Sequence, residues 1–407
     1  MTAKQIDILI AGGGIAGLTL AALLGRAGFS VVAADPAPLP SGPPKPTGRT
    51  VALMQSSANI VKATGLWPRI ENDVTPMRVM RIIDRSIAGQ PPVTSEFAAH
   101  EIDLDCFGYN IPNGILHAAL LETVQAEKNI RFLPEHSISD YQAGSRHARA
   151  RLDHGKTFNA ALIIGADGRN SAVRKCAGIQ ITEHDYAQSA ITCFVRHRKP
   201  HHNSSTEFHR PAGPLAFVPL PGDESSVVWV EPTDKADAIM RLARHDFIAA
   251  LEQASHHSLG ALELTAGPSA WPLKTLKAKA LTAPRMALIA EAAHVMSPIT
   301  AQGLNLSLRD IAALVETLVD ARRCGEDIGS ESVLGRYAAR RKLDIETRVH
   351  GVDGMNRIVS TDMLPLKSLR RTGLKAISSL PPLRETAMRL ALAPEIDQGR
   401  LARGLPL

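Results

Sequence analysis

Three glycines set between a strand and a helix constrain this chain more than any other feature. Ile6–Ala11 is a short apolar run, Gly12-Gly13-Gly14 breaks it, and Ile15–Ala27 follows with Leu18, Ala22 and Leu23 at helical spacing. Gly28 closes that helix as a C-terminal cap would, and Ser30–Ala34 is a second β-branched run ending at Asp35. Together they form a β-α-β unit of roughly 30 residues. In Gly12-x-Gly14-x-x-Gly17 the first glycine permits a tight turn. The second lets a pyrophosphate approach the backbone, and the third lets helix and strand pack closely. The helix start, with Ile15 and Ala16 in its first turn, offers free N–H groups and a positive dipole end. Asp35, at the end of the second strand, can accept hydrogen bonds from ribose hydroxyls. This constellation points to dinucleotide binding, without separating a flavin from a nicotinamide.

Composition narrows the class. A chain of 407 residues suggests two domains. With 44% hydrophobic and 21% charged residues it can bury a sizeable core, which excludes disorder. Aromatics at 4% do not supply a base-stacking platform. A net charge of +6, dispersed along the chain, does not make a nucleic-acid footprint. It suits an anionic ligand or membrane surface. Cys106, Cys176, Cys193 and Cys324 form no CxxC, so neither a zinc site nor a disulfide frame is expected, and a reducing compartment fits. No leader is expected, because the N-terminus passes straight into the first strand. No apolar run approaches the ~18 residues of a transmembrane helix.

Further along, Pro36 to Pro46 holds six prolines and reads as a stiff, extended connection. Gly48–Gly65 reads as helix, Met77–Asp84 and Val93–Phe97 as strands, Ile115–Glu127 as helix and Ala161–Gly165 as a buried strand. Ala190–His197, Pro214–Leu220 and Ser226–Glu231 read as strands, the last two joined as a hairpin. An antiparallel sheet in the middle of an α/β chain indicates a separate substrate domain. Leu304–Arg323 is a long helix with Leu304, Leu308, Ile311, Val315 and Leu318 on one face, and Ser332–Ile358 continues helical.

Three later stretches carry a family resemblance. Ala161-Leu-Ile-Ile-Gly-Ala-Asp167-Gly168 resembles the strand–Asp–Gly segment of the aromatic flavoprotein monooxygenases. Leu288-Ile-Ala290-Glu291-Ala-Ala-His294-Val-Met-Ser-Pro298-Ile-Thr-Ala301-Gln302-Gly303-Leu304-Asn305 resembles their second FAD motif, running on to Asp310. Arg49, in Gly48-Arg-Thr-Val-Ala-Leu53, matches that family's arginine near the FAD phosphates. Tyr109-Asn-Ile-Pro-Asn113, the Gly213–Trp229 hairpin and Tyr337-Ala-Ala-Arg-Arg341 are similar to the ubiquinone-biosynthesis hydroxylase branch.

The resemblance implies a p-hydroxybenzoate-hydroxylase-like α/β fold. Its FAD domain would be discontinuous, over 1–75, 100–182 and 272–345. A substrate sheet domain would cover 76–99 and 183–271, and a helical segment 346–407. It also implies FAD as cofactor, NAD(P)H and O2 as cosubstrates, and a flavin C4a-hydroperoxide that hydroxylates a phenolic ring. Cofactor contacts carried over are Arg49, Asn113, Asp167, Glu291, Pro298, Gln302, Gly303, Leu304 and Asn305, beside the glycine loop and Asp35. No catalytic side chain is implied beyond the flavin-facing loop of Pro298, Gln302 and Gly303. The chain departs from the family where its usual Gly-Asp pair is Ala290-Glu291 and where the Gly before Gln302 is Ala301. The favoured substrate is a polyprenylated phenol. The alternatives are a soluble hydroxylase of a small phenol or benzoate, and a flavin-poor scaffold subunit of a ubiquinone-synthesis assembly.

Other constellations read as structural. Glu291-x-x-His294 has di-iron spacing, but no second copy follows. His201, His202 and His209 read as a solvated loop, and Arg340-Arg341-Lys342 as a solvated helix face. The segment 364–392 mixes Lys367, Arg370, Arg371, Lys375, Arg384 and Arg389 with leucines, as a helix lying on an anionic cytoplasmic leaflet would.

Overall fold

The computed structural model describes residues 4–44, 46–87, 89–297, 302–359, 364–392 and 398–407. Strand β1 (Lys4–Ala11), helix α1 (Ile15–Arg26) and strand β2 (Val31–Asp35) form the β-α-β unit. β1 lies between β2 and the Thr157–Gly165 strand, parallel to both. Ile130–Pro134 extends the sheet beyond β2, and Met286–Leu288 pairs with Thr157–Gly165 on the other side. Parallel strands covered on both faces need near-continuous apolar runs. Ile8, Leu9 and Ile10 meet that need and are fully buried.

The expected helix over Gly48–Gly65 is a strand followed by a helix: β3 (Thr50–Met54), then Gln55–Ala63. β3 pairs antiparallel with Gly108–Pro112, which supplies the ladder hydrogen bonds that a local helical reading of Val51 and Leu53 leaves out.

A second, mixed sheet has eight strands. The long strands Ile181–His197 and Leu262–Ala278 pair with each other, and the hairpin of Gly213–Leu220 and Glu224–Pro232 continues outward. Ser204–Arg210 then pairs parallel with Val79–Asp84. Helices Thr233–Met240 and Arg244–Ala254 cover one face, over a core that includes Ile191, Phe208, Phe217, Trp229 and Phe247. The histidine cluster is not a solvated loop. His209 is buried and bonds Glu207, the His201 ring meets the Leu220 carbonyl at 2.9 Å, and only His202 is exposed.

Helix Gln302–Arg323 is buried nearly all round from Asn305 to Val319, because α1 and helix Glu331–Val359 both pack on it. Arg341 is likewise not solvated: it is 2% exposed and points into this interface. Helices Leu364–Ser379 and Pro381–Leu392 lie against Val93–Ala98 and the turn after it.

Candidate functional site

The glycine loop separates packing demands from open space. Gly12 has φ +109°, and a Cβ there would sit 2.3 Å from the Ala166 carbonyl oxygen. A Cβ on Gly17 would sit 2.0 Å from the Gly12 carbonyl oxygen. Both contacts are with the protein's own backbone. Gly14 is different, since a Cβ there would meet nothing within 4 Å. It is the N-cap of α1, and no side chain caps the N–H groups of that first turn, where Ile15 and Ala16 lie. Asp35 reaches this loop: its carboxylate accepts the Gly13 N–H at 2.6 Å and the Ala37 N–H at 2.8 Å.

Three charged side chains, Arg49, Arg169 and Glu291, gather near one another. Arg49 follows Gly48, whose φ of +74° brings the chain against the Cys193 backbone of the second sheet. Its guanidinium lies over the Trp271 ring at 4.5 Å. Desolvation lowers its pKa, Glu291 acts in the opposite direction, and Arg169 adds to the lowering. Arg169 stands 3.9 Å from Glu291, and both are largely exposed. The Arg49 carbonyl accepts the Asn113 N–H at 3.0 Å. Asp167 caps the short helix after it, taking Ala172 N–H at 2.7 Å and Val173 N–H at 3.2 Å on one oxygen. Its other oxygen and the Asn113 amide oxygen are buried without a partner among the described residues. Unpartnered buried acceptors are rare. With the open Gly14 face and two arginines, they suit a ligand that brings both hydroxyl donors and phosphate charge.

The second motif ends in Gln302, which is buried, and Gly303, where a Cβ would meet nothing within 4 Å. Leu304 packs partly against the main core. Pro298 and Ala301 lie outside the described residues. The Asn305 amide goes to β3: its oxygen accepts the Met54 N–H at 3.0 Å, and its nitrogen donates to the Ala52 carbonyl at 2.8 Å. Asn305 therefore holds β3 against the start of the Gln302–Arg323 helix.

Beneath this loop lies a charge network that the sequence reading left without a role. Asp310 is fully buried and accepts from His294 Nε2 at 2.6 Å, Arg341 Nε at 2.8 Å and the Ala290 N–H at 3.1 Å. Arg341 also meets Asp344 at 2.7 Å, as does Arg309. Burial opposes the Asp310 charge most strongly, yet His294 and Arg341 outweigh it and hold the pKa down at about 2. Ala290 has φ +55°, a left-handed conformation that costs a non-glycine residue about 1–2 kcal/mol. The bond from its N–H to Asp310 fixes that turn and so the direction of Glu291. His294 is hydrogen-bonded to Asp310, and no cluster suited to a metal exists among the described residues. The only sequence signal was Asp310 standing two turns below Gln302 on the same helix.

The FAD binding domain family matches residues 5–350. A ubiquinone hydroxylase, UbiL, of Rhodospirillum rubrum is 34% identical over 99% of this chain and 94% of its own length. The 3-demethoxyubiquinol 3-hydroxylase of Escherichia coli is 31% identical over 96% of this chain and all of its own. Among solved structures, p-nitrophenol 4-monooxygenase PnpA of Pseudomonas putida superposes with a TM-score of 0.77 at 17% identity, covering 96% of this chain and 99% of that one. That likeness is one of fold. The match over most of the chain, on the residues that build the open glycine crevice, places this protein in the FAD binding domain family, among the FAD-dependent monooxygenases.

Proposed function

We propose that this chain uses FAD, NAD(P)H and O2 to hydroxylate the ring of a polyprenylated phenol on the route to ubiquinone. The observation that carries the reading is the near full-length similarity to proteins named as ubiquinone hydroxylases. Bound FAD would supply the redox and oxygen-insertion chemistry. The protein's part is position, charge and dryness. The α1 N-terminus and Arg49 would hold the pyrophosphate, Asp35 a ribose, and Glu291 with Asp167 the hydroxyl-bearing chain between them. Gln302 and Gly303 begin a helix whose positive end favours negative charge on a flavin edge.

An apolar substrate is supported by Met54, Met77 and Ala52, which form a buried cluster with Met80 and Val218 against it. Met54 is bonded to Asn305, so this methionine seam adjoins the flavin loop. Thioether side chains are flexible enough to repack around a long prenyl tail. Access from a bilayer is supported by Leu369, Leu383 and Leu390, exposed on the two helices of 364–392, and by Leu380, exposed between them. Among the described residues no helix is long and apolar enough to cross a membrane.

The test is turnover by purified, flavin-loaded protein of a prenylated phenol and of 4-hydroxybenzoate, with NADH and with NADPH. The expected outcome is a prenylphenol product carrying one added oxygen, formed in step with nicotinamide oxidation. Hydroxylation of the benzoate alone would replace this reading with that of a small-phenol hydroxylase. Purified protein without a flavin band would favour the scaffold alternative.

A further inference from the structure

We infer that a cleft at the opposite end of α1 from the glycine loop binds a small anionic amphiphile, a phosphate or carboxylate carried on an apolar body. The cleft has a volume of about 1000 Å³. It opens where α1, helix Gln55–Ala63, helix Gln302–Arg323 and residues 401–407 meet. The 12 residues of α1 put about 18 Å of helix between it and the glycine loop. It is therefore separate from the cofactor crevice.

Leu23, Phe29, Val319 and Leu401 lie buried beneath the cleft, and Leu405 presents accessible apolar surface within it. Its rim carries Arg26, Lys62, Arg322 and Arg323, and no carboxylate side chain lines it among the described residues. These cations are poorly matched by the protein. Arg26 has neither hydrogen bond nor ion pair among the described residues. Among the described residues Lys62 faces the rings of Trp67 at 4.7 Å and Tyr109 at 5.5 Å. Arg322 donates to the Gly28 carbonyl at 3.0 Å and lies over Phe29 at 4.6 Å. Arg323 has Asp320 at 3.9 Å and the Leu407 carbonyl at 3.0 Å.

A purely structural account is available and falls short. Arg26, Lys62 and the Arg322–Arg323 pair each occupy the last turn of a helix. Basic residues there offset a helix C-terminus, which carries about −0.5 charge. Three termini amount to about −1.5 and Asp320 beside Arg323 to about −1, which leaves a surplus of roughly +1.5 at this rim. An anion of one or two charges with an apolar body balances the rim and covers Leu405.

A lipid phosphate and a soluble phosphate ester share that chemistry. The probe is octyl phosphate, titrated calorimetrically into FAD-saturated protein, with octanol and inorganic phosphate as controls. The comparison is the Arg26→Gln/Lys62→Gln variant, whose substituted residues lie outside the cofactor crevice, checked by flavin content and melting. Expected is octyl phosphate binding at least tenfold weaker in the variant, and weaker binding of either control to the wild type. Displacement by phosphatidic acid vesicles would indicate a lipid source, and displacement by AMP a soluble one. Equal affinity in wild type and variant, or no heat with octyl phosphate at millimolar concentration, would overturn the inference.

Discussion

Replacing Asp310 by asparagine removes one charge from the network beneath the flavin loop and changes no volume, so the loss reports electrostatics rather than a cavity. The carboxylate is fully buried and faces His294, Arg341 and the Ala290 N–H. Breaking a buried pair from one side typically costs 3–5 kcal/mol, because the remaining charge is left uncompensated. Arg341 keeps Asp344 at 2.7 Å, so the lower end applies, about 3 kcal/mol at neutral pH. The pH dependence gives a second, independent reading. The folded group holds its charge down to about 2 against an ordinary value of 3.8, a gap of about 2.5 kcal/mol. That stabilisation is complete above the unfolded value and is lost as pH falls through the folded one. About 1 kcal/mol of it is gone by pH 3. Urea unfolding followed by tryptophan fluorescence, from pH 7 to pH 3, measures both quantities. The difference between wild type and Asp310→Asn should be about 3 kcal/mol at pH 7 and shrink on acidification. A variant within ~0.5 kcal/mol of wild type, or a difference constant down to pH 3, would refute the argument.

Gly14→Val should leave the fold intact, since a Cβ there meets nothing within 4 Å, yet abolish flavin retention. Gly17→Val, with its Cβ 2.0 Å from the Gly12 oxygen, should lower the melting temperature of the flavin-free protein itself, and scanning calorimetry with flavin absorbance separates the two. A Gly14→Val protein with normal flavin content would remove this loop from the cofactor site. Asp84→Ala should release the C-terminal helices, because Arg370 at 2.7 Å and Arg371 at 3.4 Å share that buried carboxylate. Limited proteolysis should then cut within 364–392 at least tenfold faster while the rest of the chain resists, and an unchanged cleavage rate would count against the latch.

What was legible in the sequence was local. Gly12, Gly14, Gly17 and Asp35 lie within one β-α-β unit, and their spacing carries the turn, the helix start and the acid together. β3 was not legible, because Val51 and Leu53 have a helical as well as an extended reading, and the deciding partner is Gly108–Pro112, far along the chain. Arg341 reads as one of three adjacent cations until the fold sets Asp310 and Asp344 beside it. Asn305 belongs to the motif, but its amide serves β3, a strand the local pattern had hidden.

The C-terminal helices show the same limit, with a consequence for how the chain would meet a membrane. Six basic residues near an anionic surface would contribute about 1 kcal/mol each, a strongly salt-sensitive attraction. Three of them turn inward: Lys367 and Arg371 are buried, the Arg370 side chain is 6% exposed, and the two arginines face Asp84. Arg384 pairs with Glu101 at 2.5 Å, and Arg389 pairs with Glu385 at 2.9 Å. Lys375 remains exposed without an acidic partner among the described residues, so the charge contribution falls to about 1 kcal/mol. The exposed leucines 369, 380, 383 and 390 are between 45% and 68% accessible. At about 1 kcal/mol each for the part still to be buried, they offer on the order of 4 kcal/mol, enough for weak, reversible contact. Apolar contact therefore outweighs charge, against the expectation from composition. Flotation with neutral liposomes should nearly equal that with anionic ones and persist at 0.5 M salt, while Leu369→Ser/Leu390→Ser should reduce both. Flotation that requires anionic lipid and vanishes in salt would mean that basic residues elsewhere on the surface, rather than these leucines, carry the contact.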